Sequence, residues 1–482
     1  MNQVLADIST DAPPSFGLLL DGAPTPGRGA TLELTSRLDQ SLLARVASAS
    51  AEDVTRAYDL AEVGQTRWAA LAPSERIAVL QRAANLFRER ADDLGSIISA
   101  EMGKPAGEAR TEVQKGAAIL EYFAQQSYRP LGASYVTDTG EDAFTVEEPL
   151  GVVALITPWN FPFTLPIRKI AAALATGNAA LFKPATNSSL VGLAIGRTLV
   201  EAGLPGDVLA VIVGESKVIQ DPLFRDPRLA GVSLTGSYPT AAAIREVLPV
   251  EVPYQAELGG KNVLVVWADA DVDEAARIIW QSSFRNNGQI CTSCGRLLVH
   301  EAIAPALLER LRHDVTAQPR TTAEGDYGVL SSEWEHQKIV EVLDRNSGAV
   351  DETIRADWGP GLLSPTVLVA PTAPELVEEE IFGPVITFET VASIEEAIEL
   401  GNGSTYGLTA GIVTNDLGVA GRFWHGIRAG LVKVNAPLTG TPYHIPLQGH
   451  GHSGVGPGEG GDASTSFFTR KKAVYFRRPA TR

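Results

Sequence analysis

The sequence predicts an α/β protein built from two successive units of alternating strand and helix. Three observations carry that expectation. After "VEEPLG" the chain breaks into short apolar, β-branched runs that end in Gly, Pro, Ser or Thr. Helical segments such as "LPIRKIAAALATG" and "SLVGLAIGRTLVEAG" lie between those runs. A second alternating set follows Cys291. Strand-helix alternation of this kind means doubly wound parallel sheets, with ligands at the carboxyl ends of strands.

The elements follow in order. The first fifty residues mix short apolar pieces with Gly and Pro ("GLLLDGAPTPGRGATLEL") and read as an irregular, β-rich lead-in. From residue 50 apolar positions recur at three- and four-residue spacing, with Ser50 and Ser74 placed as N-caps and Gly103 with Pro105 ending the run. A further helix is predicted in "GEARTEVQKGAAILEYFAQQ". The first strand set is "VVALITP", "NAALFKP", "VLAVIVG", "LAGVSLTGS" and "NVLVVWADAD". The second runs from "GRLLVH" and "IAPALLERLRHDV" through "PTVLVA", "PVITFET", "SIEEAIELGN" and "GLTAGIVTND" to "GLVKVN". The tail, "STSFFTRKKAVYFRR", reads as a closing strand that pairs elsewhere.

Size and composition narrow the function classes. A chain of 482 residues exceeds what one hydrophobic core serves, so two or three domains are expected. The net charge of −17 argues against a nucleic-acid partner, which needs a clustered positive surface. No apolar run approaches the roughly 18 to 20 residues that span a bilayer, so no membrane partner is expected. "MNQVLADISTDAPPSF" carries acidic residues and no apolar segment, unlike a signal peptide. Two cysteines give no disulfide framework, and a cytoplasmic location is the natural reading.

Those two thiols, Cys291 and Cys294, stand together in "RNNGQICTSCGR". A thioredoxin-like pair belongs at a helix start in a small βαβ domain, which this context does not offer. A structural zinc site wants four ligands, and no further cysteine exists. His444, His450 and His452 in "HIPLQGHGH" read more simply as solvated loop residues, so no metal is expected. Two inert buried thiols are the bland alternative. Asn286, Asn287, Gly288 and Gln289 are turn formers, however, and a thiol after such a turn can sit at a helix start, where the dipole favours thiolate. A nucleophile is the sharper reading, with Cys291 better placed than Cys294. It needs a base and an oxyanion site. Glu257, just before Gly259-Gly260, and Asn160, held between Pro158 and Pro162, are the candidates.

With these pieces side by side the sequence resembles the aldehyde dehydrogenase superfamily, from about residue 15 to the tail. The motifs are "EEPLGVVALITPWNFPF", "LATGNAALFKPA", "SLTGS", "ELGGKN", "RNNGQICTS" and "EEIFGPV", in the family's order. Glu257 precedes Cys291 by 34 residues, as the family's base precedes its nucleophile. The resemblance implies a Rossmann-like cofactor domain (1–125 and 151–257), a second α/β catalytic domain (258–436) and a small β oligomerisation element (126–150 and 437–482), assembled as a homodimer or homotetramer. It implies that Cys291 attacks the aldehyde carbon and that the Asn160 amide and the Cys291 N–H hold the oxyanion. Hydride would then leave to a nicotinamide, and Glu257 would activate the water that hydrolyses the thioester. For the dinucleotide it implies Lys183 on the adenosine ribose, Trp159, Gly236 and Ser237 along the cofactor, Glu380 on the nicotinamide ribose and Phe382 beside the ring. Cys294 would be a neighbouring, structural thiol.

Two departures refine the reading. NAD-preferring members usually carry Glu where this chain has Thr186; losing that carboxylate removes repulsion toward a 2′-phosphate, so NADP is favoured over NAD. "YHIPLQGHGHSGVGPGEGG" replaces the common "PFGGxKxSG", and its surroundings look most like 2-oxoglutarate semialdehyde dehydrogenases. Arg168, in "PIRKIA", falls where succinate-semialdehyde dehydrogenases place a carboxylate-binding arginine, although it could equally pair with a neighbouring acid. An aldehyde without a carboxylate, or a CoA-acylating reaction, are the alternatives.

Overall fold

Strand Val152–Ile156 is buried at every position, as are Ala179–Lys183 and Leu209–Val211. Continuous apolar runs of this kind suit only a sheet covered on both faces. The computed structural model, which describes residues 13–129, 132–316, 329–359 and 362–477, places them in an eight-stranded sheet. The N-terminal stretch read as unlike a signal peptide falls mostly outside the described residues.

Across that sheet the strands run Gly454–Val455, Tyr254–Glu257, Leu229–Thr235, Val152–Ile156, Ala179–Lys183, Leu209–Val211, Leu18–Leu20 and Ala23–Thr25. The five from Tyr254–Glu257 to Leu209–Val211 are mutually parallel, and the outer three are antiparallel additions. The chain winds one way from Val152–Ile156 through Leu209–Val211, then returns to Leu229–Thr235 on the other side of Val152–Ile156. The crevice at the carboxyl ends of those two strands is therefore the topological switch point, where ligands bind in open α/β sheets.

The helices cover this sheet. Ser50 caps helix Ala51–Ala70 through a capping box with Asp53. Ser74 is not a cap: Pro73 takes the first helical position and moves the start back, so Ala72 is the N-cap of Pro73–Glu89. Gly103 ends helix Ala91–Met102 in the left-handed region at φ 71°. Helix Ala106–Gln125 follows after Pro105.

A four-residue crossing, 258–261, leads from Glu257 into a second, seven-stranded sheet. Its order is Glu352–Ile354, Thr366–Val369, Val385–Val391, Cys294–His300, Asn262–Val266, Thr409–Val413 and Leu431–Val434, parallel except at the first strand. The chain is thus mixed α/β with two large, mainly parallel sheets, as the alternation predicted.

The C-terminal segment divides. Gly454–Val455 joins the edge of the first large sheet, helix Gly461–Phe467 packs on helix Thr164–Ala175, and Thr469–Phe476 pairs antiparallel with Asp142–Pro149 over its whole length. With Ser134–Tyr135 that pair forms a small three-stranded sheet. No helix among the described residues is long and apolar enough to cross a membrane.

Candidate active site

Cys291 lies between two cavities and lines both. The larger, about 830 Å³, occupies the switch-point crevice. The smaller, about 170 Å³, shares Cys291 with it. This one residue therefore borders both.

The turn that delivers this sulfur is unusual. Asn286 and Asn287 both adopt left-handed backbone (φ 48° and 55°), and Gly288 follows at φ 70°. Asn tolerates this region through local hydrogen bonding: Asn286 Nδ2 donates to Gln289 O at 3.2 Å and Asn287 Nδ2 to Val329 O at 2.7 Å. Gly288 is required outright, since a Cβ there would stand 2.1 Å from Gly383 O. Asn262, the first residue of the second sheet, fixes the far side of the turn. Its Nδ2 donates to Cys291 O and Ser293 O, each at 2.7 Å.

Here one expectation fails. Cys291 does not open a helix; it sits in a turn that feeds strand Cys294–His300, so no helix dipole favours its thiolate. Burial, with the carboxylates of Glu380 and Glu257, pushes the thiol up to about 12, opposed by the Arg168 charge. Cys294 is buried, donates to Arg296 O at 3.4 Å, and is not disulfide-bonded.

Glu257 ends strand Tyr254–Glu257 and lines the smaller cavity. Its Oε2 has no hydrogen-bond partner, and burial together with the neighbouring charge of Glu459 raises it to about 8. Asn160 lies in the loop after strand Val152–Ile156 and lines the larger cavity. Its Nδ2 donates to Gln289 O at 3.0 Å, which ties that loop to the cysteine turn. An amide nitrogen carries two protons, so this bond leaves one free.

All seven residues expected along a dinucleotide line the larger cavity. Trp159 meets the Phe382 ring edge-on at 5.6 Å, and Phe382 is itself left-handed at φ 58°. Gly236 follows strand Leu229–Thr235 directly. Ser237 caps helix Tyr238–Val247, and Thr186 opens a single 3-10 turn. Glu380 accepts the Gly260 N–H at 3.0 Å, an approach that Gly259 permits because a Cβ there would lie 2.0 Å from Glu380 Oε2.

The polar atoms of this cavity fit a ligand rich in hydroxyls and anionic oxygen. The Lys183 ammonium is buried, reaches Pro184 O only at 3.5 Å, and is lowered to about 8 by desolvation. Glu380 is raised to about 7 by burial, and Oε2 of the neighbouring Glu335 has no hydrogen-bond partner. Ribose diols and a pyrophosphate would satisfy such groups.

Arg168 lines the smaller cavity and is buried. Its Nε has no partner, and its Nη1 lies 3.8 Å from Glu459 Oε2. The sequence reading missed several residues beside it. Lys169 is fully buried, donating to Glu459 Oε1 at 2.7 Å and to Ser233 Oγ at 2.9 Å. Lys115 and Arg285 stand at the cavity mouth. Arg285 was legible in "RNNGQICTS" but carried no assignment, whereas Lys169 and Glu459 carried no sequence signal. His452 stacks on Tyr238 at 3.8 Å, and His444 lies against the Tyr122 and Tyr443 rings. No group of three or more metal-binding side chains occurs among the described residues.

The family model described as the aldehyde dehydrogenase family matches residues 25–474. The chain belongs to the aldehyde dehydrogenase family. Solved aldehyde dehydrogenases superpose on it along nearly their full length. The NAD-dependent aldehyde dehydrogenase from Sinorhizobium meliloti shares 30% identity with a TM-score of 0.92, covering 99% of this chain and 97% of its own. The NADP-dependent glyceraldehyde-3-phosphate dehydrogenase from Bacillus halodurans C-125, complexed with NADP, shares 31% identity at a TM-score of 0.92, covering 96% and 99%. Lactaldehyde dehydrogenase from Escherichia coli shares 29% identity, again at 0.92, covering 96% and 100%. These aldehyde dehydrogenases include both NAD- and NADP-dependent enzymes, and the likeness does not choose between the cofactors for this chain.

Proposed function

We propose that this aldehyde dehydrogenase oxidises a semialdehyde bearing a remote carboxylate, such as 2-oxoglutarate semialdehyde, to the acid, with NADP favoured over NAD. The observation that carries the reading is the position of Cys291 between a large dinucleotide-sized cavity and a small one lined by Arg168.

Cys291 acts as nucleophile on the aldehyde carbon. The free proton of Asn160 Nδ2 and the Cys291 N–H meet the oxygen that becomes negative, and donors set in advance stabilise charge as it develops. Burial raises both groups, the thiol further than Glu257, so proton transfer from Cys291 to Glu257 is uphill. Sulfur attack therefore depends on that oxyanion stabilisation. The nicotinamide, when bound along Trp159, Gly236, Ser237, Glu380 and Phe382, supplies the hydride acceptor. Glu257 then takes a proton from the water that hydrolyses the Cys291 thioester, a role suited to a base whose pKa lies near neutrality. Lys183 holds the adenosine ribose, and Thr186 leaves room for a 2′-phosphate.

The substrate class rests on charge. The small cavity is lined by Lys104, Lys115, Arg168 and Arg285 and by Glu108, Glu112, Glu257 and Glu459, with Lys104 paired to Glu112, and the charges of Arg168 and Arg285 join desolvation in lowering Lys115. Glu459 is already paired with Lys169 at 2.7 Å, so it neutralises Arg168 only partly from 3.8 Å. A guanidinium with an unpartnered buried Nε suits a carboxylate in two parallel hydrogen bonds. The 2-oxoglutarate detail rests on the tail motif alone.

We assign residues 1–125 and 151–257 to cofactor binding, 258–436 to the catalytic domain, and 126–150 with 437–482 to assembly. Support for a homodimer or homotetramer comes from the small sheet, which exposes Tyr135 and Tyr475 on one face and Phe144 and Phe476 on the other. Two unpaired cysteines suit a reducing cytoplasm. The deciding experiment is a panel of aldehydes with and without a terminal carboxylate, each with NADP and NAD. A preference in kcat/KM for neutral aldehydes overturns the substrate class, and a preference for NAD overturns the cofactor assignment.

A further inference from the structure

We infer that Lys104 and Glu112 form a positioning device for the oxyanion loop, residues 160–164. The inference rests on the reading above that Asn160 serves the oxyanion.

Lys104 sits in the three-residue link between helices Ala91–Met102 and Ala106–Gln125, and Glu112 lies about two turns into the second helix. Both are almost fully buried, at 2% and 4% exposure, and they pair with each other. A buried ion pair is a doubtful source of stability, because desolvating two charges offsets most of their attraction. Its contacts suggest another purpose. Lys104 Nζ also donates to Asn160 O at 2.9 Å and stands 4.1 Å from the centre of the Phe161 ring. Glu112 Oε1 accepts the N–H groups of Phe163 at 2.9 Å and Thr164 at 3.1 Å.

Those two N–H groups open helix Thr164–Ala175, whose own N-cap residue, Phe163, supplies no side-chain cap. Glu112 therefore caps a helix to which it does not belong, and its charge complements the positive end of that helix. Together the two residues contact 160, 161, 163 and 164. A catalytic donor must be held within about 0.5 Å of its productive position, and these contacts, with the longer bond from Asn286 Nδ2 to Asn160 O at 3.4 Å, set the Asn160 backbone. Lys104 and Glu112 touch neither the thiol nor the aldehyde carbon in this scheme; they act through Asn160.

The test uses Glu112→Gln, Lys104→Met and Lys104→Arg in the full-length enzyme, with single-turnover acylation, NADP affinity and melting temperature measured for each. Lys104→Met should slow acylation by about 10² to 10³, the loss expected when one oxyanion donor is displaced. Binding of NADP should stay within twofold of wild type, and Lys104→Arg should recover most of the rate. In an Asn160→Ala background, Lys104→Met should slow acylation no further. A variant that melts lower but acylates at the wild-type rate assigns the pair to stability alone and overturns the inference. So does full additivity with Asn160→Ala. Should Lys104→Met fail to fold, Glu112→Gln keeps an acceptor oxygen for the helix and carries the same expectation at smaller size. Wild-type acylation in Asn160→Ala alone would instead remove Asn160 from the oxyanion site, a failure of the proposed function rather than of the clamp.

Discussion

Lys169 donates to Glu459 at 2.7 Å, while the Glu257 carboxyl, close enough to be raised by the charge of Glu459, keeps one oxygen without a partner. Of two neighbouring buried carboxyls, one is paired with a lysine and the other is driven toward its neutral form. Environments that separate otherwise similar groups assign acid–base roles. The arrangement leaves Glu257 as the carboxyl free to exchange a proton near neutral pH.

Deacylation should therefore rise with pH through about 8, as Glu257 gains the charge it needs to act as base. Glu257→Gln should abolish this rise and let the Cys291 thioester accumulate, visible as an acyl adduct by mass spectrometry of the intact protein. Unchanged turnover with no adduct would remove Glu257 from the base role.

The same raised carboxyl has a consequence for stability. A folded-state pKa of about 8 against an ordinary 4.5 means that the folded protein binds the proton more tightly than the unfolded chain. The stabilisation is complete below about 4.5 and is lost as pH rises toward 8, at no more than about 1.4 kcal/mol per pH unit. Glu257→Gln carries no such penalty, so its melting temperature should gain on that of wild type as pH rises from 5 to 8. A constant difference between the two proteins over that range would show that Glu257 is not shifted.

Cys291→Ala should reduce aldehyde oxidation to background while NADP affinity, measured by fluorescence titration, stays close to wild type, because the sulfur lines the larger cavity at one point only. Residual turnover near the wild-type rate would exclude Cys291 as nucleophile.

Both large sheets were legible because their strands are short apolar runs closed by Gly or Pro, and Cys291, Glu257 and Asn160 stood out as candidates, each in an unusual local string, that line the two cavities. What sequence did not reveal was made by tertiary closure. "PIRKIA" offers Arg168 either a substrate carboxylate or a neighbouring acid without saying which acid, and helix Thr164–Ala175 buries Arg168 and Lys169 together against Glu459, 290 residues beyond Lys169. Glu112 reads as one polar position on an amphipathic helix, and only the packing of that helix on Thr164–Ala175 turns it into a cap. The Cys291 environment misled for a related reason. Turn formers before a thiol suit a helix start and a strand start alike, and the left-handed Asn286-Asn287-Gly288 run selects the strand.

The proposed preference for NADP rests on Thr186, which lines the larger cavity with Lys183. Thr186→Glu should move the NADP/NAD ratio of kcat/KM toward NAD by about tenfold or more, through repulsion between the new carboxylate and a 2′-phosphate. An unchanged ratio would place specificity elsewhere in the cavity.

In the proposed function substrate charge is read by Arg168 and Arg285, one buried with an unpartnered Nε and the other exposed, with its Nε 3.7 Å from Glu108. Arg168→Met should raise KM for a carboxylated semialdehyde by about tenfold to a hundredfold, the worth of a charge-assisted pair of hydrogen bonds of about 1.5 to 3 kcal/mol. The KM of a neutral aldehyde of the same length should change little. Arg285→Met should act in the same direction more weakly, since an exposed cation is screened by water and salt. Equal losses for charged and neutral aldehydes would show that Arg168 supports Glu459 rather than the substrate, because Glu459 is the one acid within 4 Å of its guanidinium among the described residues.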